Sequence, residues 1–442
     1  MVTNVSRRTL VKSAAGAAAV GTAAVTLGAK PSSVFAAPAL LQGAQVEIKY
    51  WTSFGSGVNG DAQTKLIADF EAANPDIKIT PTIQASYEDL AAALVAALQT
   101  GDEPHVAILS DVWWFRFYLA EALADLKPLL TDAKVDTDDY VQSLYTEYSR
   151  HEGQWAVPFA RSTPLLYYNE DALTAAGLDN TIFAKWSTFA EAAPKLVGGK
   201  TQFAFGFGNA ASYGAWVLQG PVWAFGGHYS DPEFNILIAD EKAVAAGNFF
   251  QKMVTDKVAT TTEDPVTDFQ TGLTAAILAS TGSLGGIKKA ATFKFGTAFL
   301  PEEEGFGCCT GGAGLSILKS APDDVKAAAI KFLDFSTSTE TTAAWSQATG
   351  YMPVRTSAIE SDAMQAFLKE NPNSQTAINQ LPKTSPQDSA RVFIPNGDQI
   401  LGRGWEQVLV KSVAVQDAFN EVKSELDDEK EPVLEQIKEL EG

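Results

Sequence analysis

Short β-branched or aromatic runs alternate with amphipathic stretches of helical length from residue 46 onward. Val46–Trp51 and Ile77–Ile83 predict strands, and Ala62–Ala73 predicts a helix between them. That helix should end at Asn74-Pro75, because the residue before a proline disfavours the α conformation. Alternating strands and helices are typical of α/β architecture.

A second helix and a third strand complete this first unit. Ser86 predicts the helix N-cap, with Asp89 three residues on, and His105–Ser110 is apolar enough for a buried parallel strand. In open α/β sheets, ligands bind beyond the carboxyl ends of the strands. Trp51–Asn59 and Ser110–Trp114 are therefore the first places where a ligand is expected.

The same alternation resumes after residue 158 and predicts a second α/β unit. Pro164–Tyr168, Phe203–Phe207 and Ala275–Ala279 predict its strands, and Lys326–Phe335 predicts a later amphipathic helix. No internal repeat relates the two units.

The C-terminal stretch predicts a helix that packs on the surface as a clamp. Val415, Phe419, Val422 and Leu426 stand at helical spacing. A charged break is expected at Asp427–Pro432, followed by a last short helix.

The composition and charge of the chain exclude several classes of function. The 442 residues carry 33 Lys+Arg against 53 Asp+Glu, a net charge of −20, and 46% are hydrophobic, which indicates a soluble protein of about two domains. A nucleic-acid partner is not expected, because such binding depends on a basic surface that neutralises phosphates. Three isolated His and the adjacent Cys308 and Cys309 also supply no usual zinc site. A buried structural Cys pair is expected, and a vicinal disulfide stays open.

The first 36 residues predict an export signal. Ser6–Lys12 contains a twin arginine, Ser13–Ala29 is weakly apolar, and Val34-Phe35-Ala36 places small residues at a cleavage site. No Cys follows, so no lipid anchor is expected. Cleavage after Ala36 would remove four cations and no acid, leaving a charge of −24. A periplasmic protein is therefore expected.

Catalytic and cofactor motifs are weak. Gly206–Ala211 has the loose dinucleotide spacing, but its acidic partner Asp231 falls in a loop and Tyr213-Gly214 interrupts the helix. Ser316–Lys319 has a Ser-x-x-Lys spacing but is typical of a strand end. Neither an enzyme nor a cofactor is expected. A secreted glycosidase or esterase stays open, because no pair stands out among so many acids.

Aromatic and small polar residues concentrate at predicted turns instead. Aromatic rings can cover the C–H faces of a polyol while polar groups bond its hydroxyls, and glycine-rich turns offer N–H groups to an anion. The set comprises Tyr87, Trp113-Trp114, Ser162-Thr163, Trp186, Trp216, Trp223, Ser280–Ser283, Gly311-Gly312 and Gly350–Pro353.

Five segments together make the sequence similar to the bacterial extracellular solute-binding proteins of the sugar family. Within that family, it most resembles the members that bind glycerol-3-phosphate for ABC importers, over roughly residues 45–410. The segments are Tyr50-Trp51, Phe70–Pro75, Thr163–Glu170, Lys331–Phe335 and Thr349–Val354.

The resemblance implies a two-lobed periplasmic-binding-protein fold of α/β class, with a hinge of crossing strands and a ligand cleft between the lobes. It divides the chain into an N-terminal lobe of residues 45–158 and 302–333, and a C-terminal lobe of residues 159–301 and 334–442. The expected protein is a monomer that captures its ligand and delivers it to an ABC permease.

The resemblance also implies the site. Phosphate would be held by Ser280, the Gly312 N–H, Tyr351 and Arg391. The glycerol would be held by Tyr87, Asp111, Ser162 and Trp186.

Two of these residues allow a chemical argument. Arg391 offers a planar fork that suits two phosphate oxygens. By the resemblance, Asp111 stands where the enteric glycerol-3-phosphate binder has Glu, and the side chain shorter by one methylene is expected to leave room for a phosphodiester head such as choline. Sn-glycerol-3-phosphate or a glycerophosphodiester such as glycerophosphocholine is the expected ligand, and a neutral oligosaccharide is the alternative.

Overall fold

The computed structural model describes residues 45–210 and 213–442. The expected signal peptide, residues 1–36, lies outside the described residues. The described strands are β1 (Val46–Thr52), β2 (Ile77–Ile83), β3 (Val106–Ser110), β4 (Ser149–Arg150), β5 (Gly153–Gln154), β6 (Val157–Ser162), β7 (Pro164–Asn169), β8 (Phe203–Gly208), β9 (Ala259–Thr262), β10 (Thr274–Ser280), β11 (Phe295–Ala298) and β12 (Gly311–Ile317).

Helices cover these strands. They are α1 (Gly57–Ala73), α2 (Tyr87–Thr100), α3 (Trp114–Leu119), α4 (Leu126–Asp132), α5 (Gln142–Tyr145), α6 (Glu170–Ala175), α7 (Trp186–Ala192), α8 (Gly214–Ala224), α9 (Glu241–Thr255), α10 (Pro265–Thr271), α11 (Leu284–Ala290), α12 (Asp323–Ser336), α13 (Thr339–Thr349), α14 (Thr356–Glu360), α15 (Asp362–Glu370), α16 (Pro372–Gln380), α17 (Ser389–Val392), α18 (Gly397–Leu409) and α19 (Val415–Glu441).

Two five-stranded sheets organise the two lobes of this α/β fold. The first has the order β2-β1-β3-β12-β6 and the second the order β11-β7-β10-β8-β9. In the first sheet, β1 runs parallel to β2 and β3, while β12 runs antiparallel to both β3 and β6. Every residue of β3 is buried, as expected for a strand covered on both faces. We call the residues packed on each sheet the first and the second lobe.

The chain crosses from the first sheet to the second at Thr163. The preceding strand β6 pairs with β12, so Phe159–Ser162 extends the first sheet rather than opening the second unit, as the sequence-based division had it. The next strand, β7, pairs with β10 and β11 of the second sheet. The chain returns to the first sheet at β12.

Helix α13 also differs from the predicted division, which assigned residues from 334 onward to the second lobe. It packs chiefly on α1, beside the first sheet. The reason is Trp345, whose ring centroid lies 5.4 Å from that of Phe54 and 4.8 Å from that of Phe159. These aromatic contacts hold α13 against the first lobe.

Local sequence signals predict one helix start correctly and one helix end incorrectly. Ser86 caps α2, because its hydroxyl accepts a hydrogen bond from the backbone N–H of Asp89 at 3.0 Å. The C-terminal prediction of a break is wrong, since α19 continues through Pro432 to Glu441. Leu426 and Val433 are buried on either side of the expected break, so packing continues where the charges suggested an end.

Cys308 and Cys309 are both buried and free. Their sulfurs face different carbonyl groups, with Cys308 Sγ 3.7 Å from the Pro164 oxygen and Cys309 Sγ 3.6 Å from the Trp216 oxygen. Burial raises the pKa of Cys309 to about 12. In the part of the chain that the structure describes, no helix is long and apolar enough to cross a membrane.

Candidate ligand-binding site

A cleft of about 180 Å³ lies where the ends of the two sheets meet. It contains residues at or just after the ends of β3, β6 and β10 and residues at the N-termini of α2 and α8. Its walls are formed by Asn59, Tyr87, Glu88, Ser110, Asp111, Val112, Ser162, Tyr213, Trp216, Ser280, Gly282, Ser283, Gly312, Tyr351 and Arg391.

Seven of the eight residues proposed from the sequence line this cleft, and Trp186 does not. Trp186 is fully buried at the start of α7. Its ring packs edge-on against Phe205 at 5.6 Å and Phe250 at 5.0 Å between centroids. Trp186 therefore belongs to the core of the second lobe, and the assignment of a ligand contact to it is corrected.

Trp216 is the tryptophan that lines the cleft. It lies in the first turn of α8, and its indole Nε1 donates a hydrogen bond to the carbonyl of Thr310 at 3.0 Å. A Cβ at Gly311 would lie 2.4 Å from the Trp216 ring, so this glycine allows the ring to lie directly against the backbone. Sequence analysis included Trp216 among the turn aromatics, but it gave no reason to prefer this residue to Trp186.

Arg391 is the cation that lines the cleft, and it is only 3% exposed. Its Nε donates to Asp398 Oδ1 at 2.6 Å, and its Nη1 donates to the side-chain oxygen of Gln387. Nη1 also lies 3.6 Å from Asp111 Oδ2. Burial acts to lower the pKa of Arg391, but Asp398 and Asp111 outweigh it and raise that pKa, so the guanidinium stays charged.

Asp111 reaches the same network from the first lobe. It follows β3, and its backbone N–H donates to the carbonyl of Gly312 at 3.0 Å. Its carboxylate also accepts a hydrogen bond from the Gln387 amide. Gln387 thus connects Asp111 to Arg391, and nothing in the sequence pattern singled it out.

Gly312 has a backbone φ of +100°, which strongly favours glycine. A Cβ there would lie 2.1 Å from the carbonyl oxygen of Ala160. The bare backbone at this position brings β12 close to β6 at the edge of the cleft.

Ser280 and Tyr351 both lie against Gly282 in the cleft wall. The Ser280 hydroxyl accepts a hydrogen bond from the Gly282 N–H at 3.1 Å. A Cβ at Gly282 would lie 2.6 Å from Cζ of Tyr351, so the tyrosine ring rests directly on this glycine. Tyr351 also stacks on Trp345 at 6.1 Å between centroids.

Two hydroxyl groups in the cleft walls are buried without a partner among the described residues. They are the phenol oxygen of Tyr87 and the Oγ of Ser110, a residue that is only 5% exposed. A buried polar group without a hydrogen bond is costly, so both are suited to a bound ligand. Burial raises the pKa of Tyr87 well above its ordinary value, and the nearby Tyr351 and Tyr213 add to this, so the phenol keeps its proton to donate.

Carboxylates outnumber cations around the cleft. Asp111 and Asp398 lie against the guanidinium of Arg391, and Glu88, whose pKa is raised by burial, lines the same cleft. Charged and hydroxyl groups therefore share one small cavity with the rings of Tyr87, Trp216 and Tyr351. Among residues 45–210 and 213–442, no group of three or more His, Cys, Asp or Glu residues is arranged to hold a metal ion.

The sequence profile of a family described as bacterial extracellular solute-binding protein matches residues 65–375. The chain belongs to this family. Solute-binding proteins of ABC importers bind small molecules and deliver them to a membrane permease, and they are extracellular or periplasmic.

Relatives of known name match most of the chain. The sn-glycerol-3-phosphate-binding periplasmic protein UgpB of Escherichia coli K12 is 30% identical over 359 residues, which cover 77% of this chain and 81% of that protein. The protein of the same name from Salmonella typhimurium is 29% identical over 381 residues, covering 81% and 85%.

Solved structures of the same architecture also match. UgpB from Mycobacterium tuberculosis, in complex with glycerophosphocholine, superposes with a TM-score of 0.84 and 38% identity, covering 88% of this chain and 98% of that one. The acarbose-binding GacH receptor of Streptomyces glaucescens has a TM-score of 0.77 at 20% identity, covering 88% and 99%, and shows the shared two-lobed fold.

Proposed function

We propose that this protein is the periplasmic binding component of an ABC importer for glycerol phosphates, with a glycerophosphodiester such as glycerophosphocholine as the preferred ligand. The observation that carries the proposal is the buried guanidinium of Arg391 in a small cleft lined by hydroxyl groups and aromatic rings. The relatives named for sn-glycerol-3-phosphate and the UgpB structure with glycerophosphocholine support the same ligand class.

The residues divide into two groups by chemistry. Arg391, Ser280, Gly312 and Tyr351 form the phosphate side, where hydrogen bonds to a charged group contribute about 1.5–3 kcal/mol each. Hydroxyl groups of the glycerol meet Asp111, Ser162 and the unpartnered hydroxyls of Tyr87 and Ser110. Trp216 takes the place that sequence analysis gave to Trp186, with its ring against the C–H groups of the ligand.

The charge balance favours the diester over the monoester. A phosphate monoester carries a charge of about −1.5 to −2 at neutral pH, whereas a diester carries a single negative charge. The one guanidinium already pairs with Asp111 and Asp398, and Glu88 also lines the cleft, so the second charge of a monoester meets carboxylates. An ammonium group on the diester would be attracted by the same carboxylates and by the aromatic faces.

Titration calorimetry with glycerophosphocholine, sn-glycerol-3-phosphate and maltose tests the proposal. We expect stoichiometric binding of glycerophosphocholine, weaker binding of sn-glycerol-3-phosphate, no heat with maltose and no product from the diester. Binding of maltose alone would support the neutral-oligosaccharide alternative. Hydrolysis of the diester at catalytic protein concentration would instead indicate an enzyme.

Two further parts of the proposal concern the cell. We infer that the protein is a monomer exported by the twin-arginine route, as the Arg-Arg segment at residues 7–8 predicts, and that it carries no lipid anchor. Replacing both arginines by lysine should retain the protein in the cytoplasm if this route is used.

A further inference from the structure

The C-terminal helix α19 contacts both lobes. Its first half packs on α18 and α9, and α9 leads into β9 of the second sheet. The fit is close, because a Cβ at Gly247 of α9 would lie 2.4 Å from Val415, and one at Gly404 of α18 would lie 2.3 Å from Val422. The N-terminal half of α19 is therefore packed against the second lobe.

The last turn of α19 reaches the first lobe. The carboxylate of Glu441 pairs with Arg150 through Nε and through Nη2, the latter at 3.2 Å. It also accepts a hydrogen bond from the hydroxyl of Tyr118 at 2.9 Å. Tyr118 lies in α3, directly after β3, and Arg150 lies in β4, so both partners belong to the first lobe. Burial, and then the bond to Glu441, raise the pKa of Tyr118 to about 12.

The ion pair lies on an aromatic contact between the lobes. The guanidinium of Arg150 is 5.2 Å from the ring of Phe115 and 5.9 Å from that of Phe393, and the two rings are 4.7 Å apart. The side chains of Arg150 and Glu441 are only 24% and 20% exposed. A two-point Arg–carboxylate bond in such a setting is stronger than an exposed pair. Phe393 follows Arg391 by two residues, so this contact is close to the cleft.

We propose that α19 is a strap that joins the two lobes and stabilises the arrangement in which the cleft walls meet. A helix of 27 residues is about 40 Å long at 1.5 Å per residue, which is enough to extend from one lobe to the other. In the arrangement where Glu441 reaches Arg150, Asp111 of the first lobe lies 3.6 Å from Arg391. The strap therefore favours the state in which both lobes contact the ligand.

A consequence for affinity follows from linkage. The apparent affinity of a ligand is its intrinsic affinity reduced by the fraction of protein molecules in the binding-competent state. A smaller competent fraction therefore means weaker binding. An interaction that stabilises this state without touching the ligand therefore tightens binding from a distance. Residues 415–441 carry this role outside the ligand-contacting part of the chain.

The variant Glu441→Gln tests the strap, because it keeps the size of the side chain and removes its charge. We expect the radius of gyration of the ligand-free protein to increase in small-angle X-ray scattering, and glycerophosphocholine to bind roughly threefold to tenfold more weakly. Glu439→Gln, an exposed change in the same turn region, is the matched control and should leave both quantities unchanged.

A double-mutant cycle with Arg150→Gln identifies the partner. If the pair acts as a unit, Glu441→Gln should add little to Arg150→Gln. Unchanged scattering and unchanged affinity in Glu441→Gln, or tighter binding, would overturn the proposal. The scattering readout needs no ligand, so it tests the strap even if the proposed ligand proves wrong.

Discussion

Arg391 and Asp111 face each other from different lobes, with 3.6 Å between Nη1 and Oδ2, and Gln387 bonds to both. A cation that two lobes share in this way changes its surroundings when the lobes move. Under the proposed function, the Arg391 guanidinium also binds the phosphate, so phosphate binding depends on the arrangement of the lobes. This relationship supports the first prediction.

Replacing Arg391 by Lys keeps the charge but removes the planar fork. We expect the affinity for glycerophosphocholine to fall by about tenfold or more, because at least one charged hydrogen bond of about 1.5–3 kcal/mol is lost. Arg403→Lys is the control, since Arg403 is half exposed and pairs with Glu425 away from the cleft. Calorimetry at matched pH and salt compares the two variants, and equal affinities would argue against a phosphate contact at Arg391.

The two tryptophans provide a second, paired prediction. Trp216→Phe should weaken ligand binding, because the ring lines the cleft, and should also lower the melting temperature, because the buried hydrogen bond to Thr310 is lost. Trp186→Phe should lower the melting temperature and leave the affinity of the folded protein unchanged, because its indole fills the second-lobe core. The assignment would be reversed if Trp186→Phe alone changed the affinity.

Gly282 tests whether the position of Tyr351 matters. In Gly282→Ala, the new methyl group would meet Cζ of Tyr351 at 2.6 Å and displace the ring, so binding should weaken. Gly286→Ala in α11 has open space around the new methyl group and should stabilise the helix by roughly 0.5–1 kcal/mol with unchanged affinity. Calorimetry and thermal melts on both variants separate the two effects.

Glu88 should make stability depend on pH. Its pKa is raised by burial, so the folded protein holds this proton to a higher pH than the unfolded chain does. Stability is then lost as the pH rises from the ordinary Glu value through the raised one. Glu88→Gln should remove this loss, and the free energy of unfolding of the variant should exceed that of the parent increasingly above about pH 4.3. Urea titrations from pH 4 to 7 measure the difference, and a constant offset would count against a buried carboxyl.

The sequence predicts the strands and most of the cleft residues better than it predicts which tryptophan lines the cleft. Apolar runs rich in β-branched or aromatic residues define β1, β2, β8 and β10 within a residue or two, because strand formation depends on local pattern. Trp186 and Trp216 both open helices after turns, so the pattern does not distinguish them. The two tryptophans differ in their tertiary packing, because Phe205 and Phe250 enclose Trp186 in the core of the second lobe.

The features that the sequence did not predict depend on contacts between residues far apart in the chain. Gln387 acquires its role from Asp111, 276 residues earlier, and Glu441 acquires its role from Arg150, 291 residues earlier. The charged run before Pro432 suggested a helix break, but burial of Leu426 and Val433 keeps α19 continuous. No local sequence signal encodes such pairings, because the residues come together only when distant segments pack against each other.

A crystal structure of the complex with glycerophosphocholine tests the central claim most directly. We predict that the phosphate oxygens lie within hydrogen-bonding distance of the Arg391 guanidinium and the Gly312 N–H, with Trp216 against the ligand and Trp186 away from it. A complex in which the phosphate is bound elsewhere, or in which a sugar ring occupies the position beside Arg391, would contradict the account.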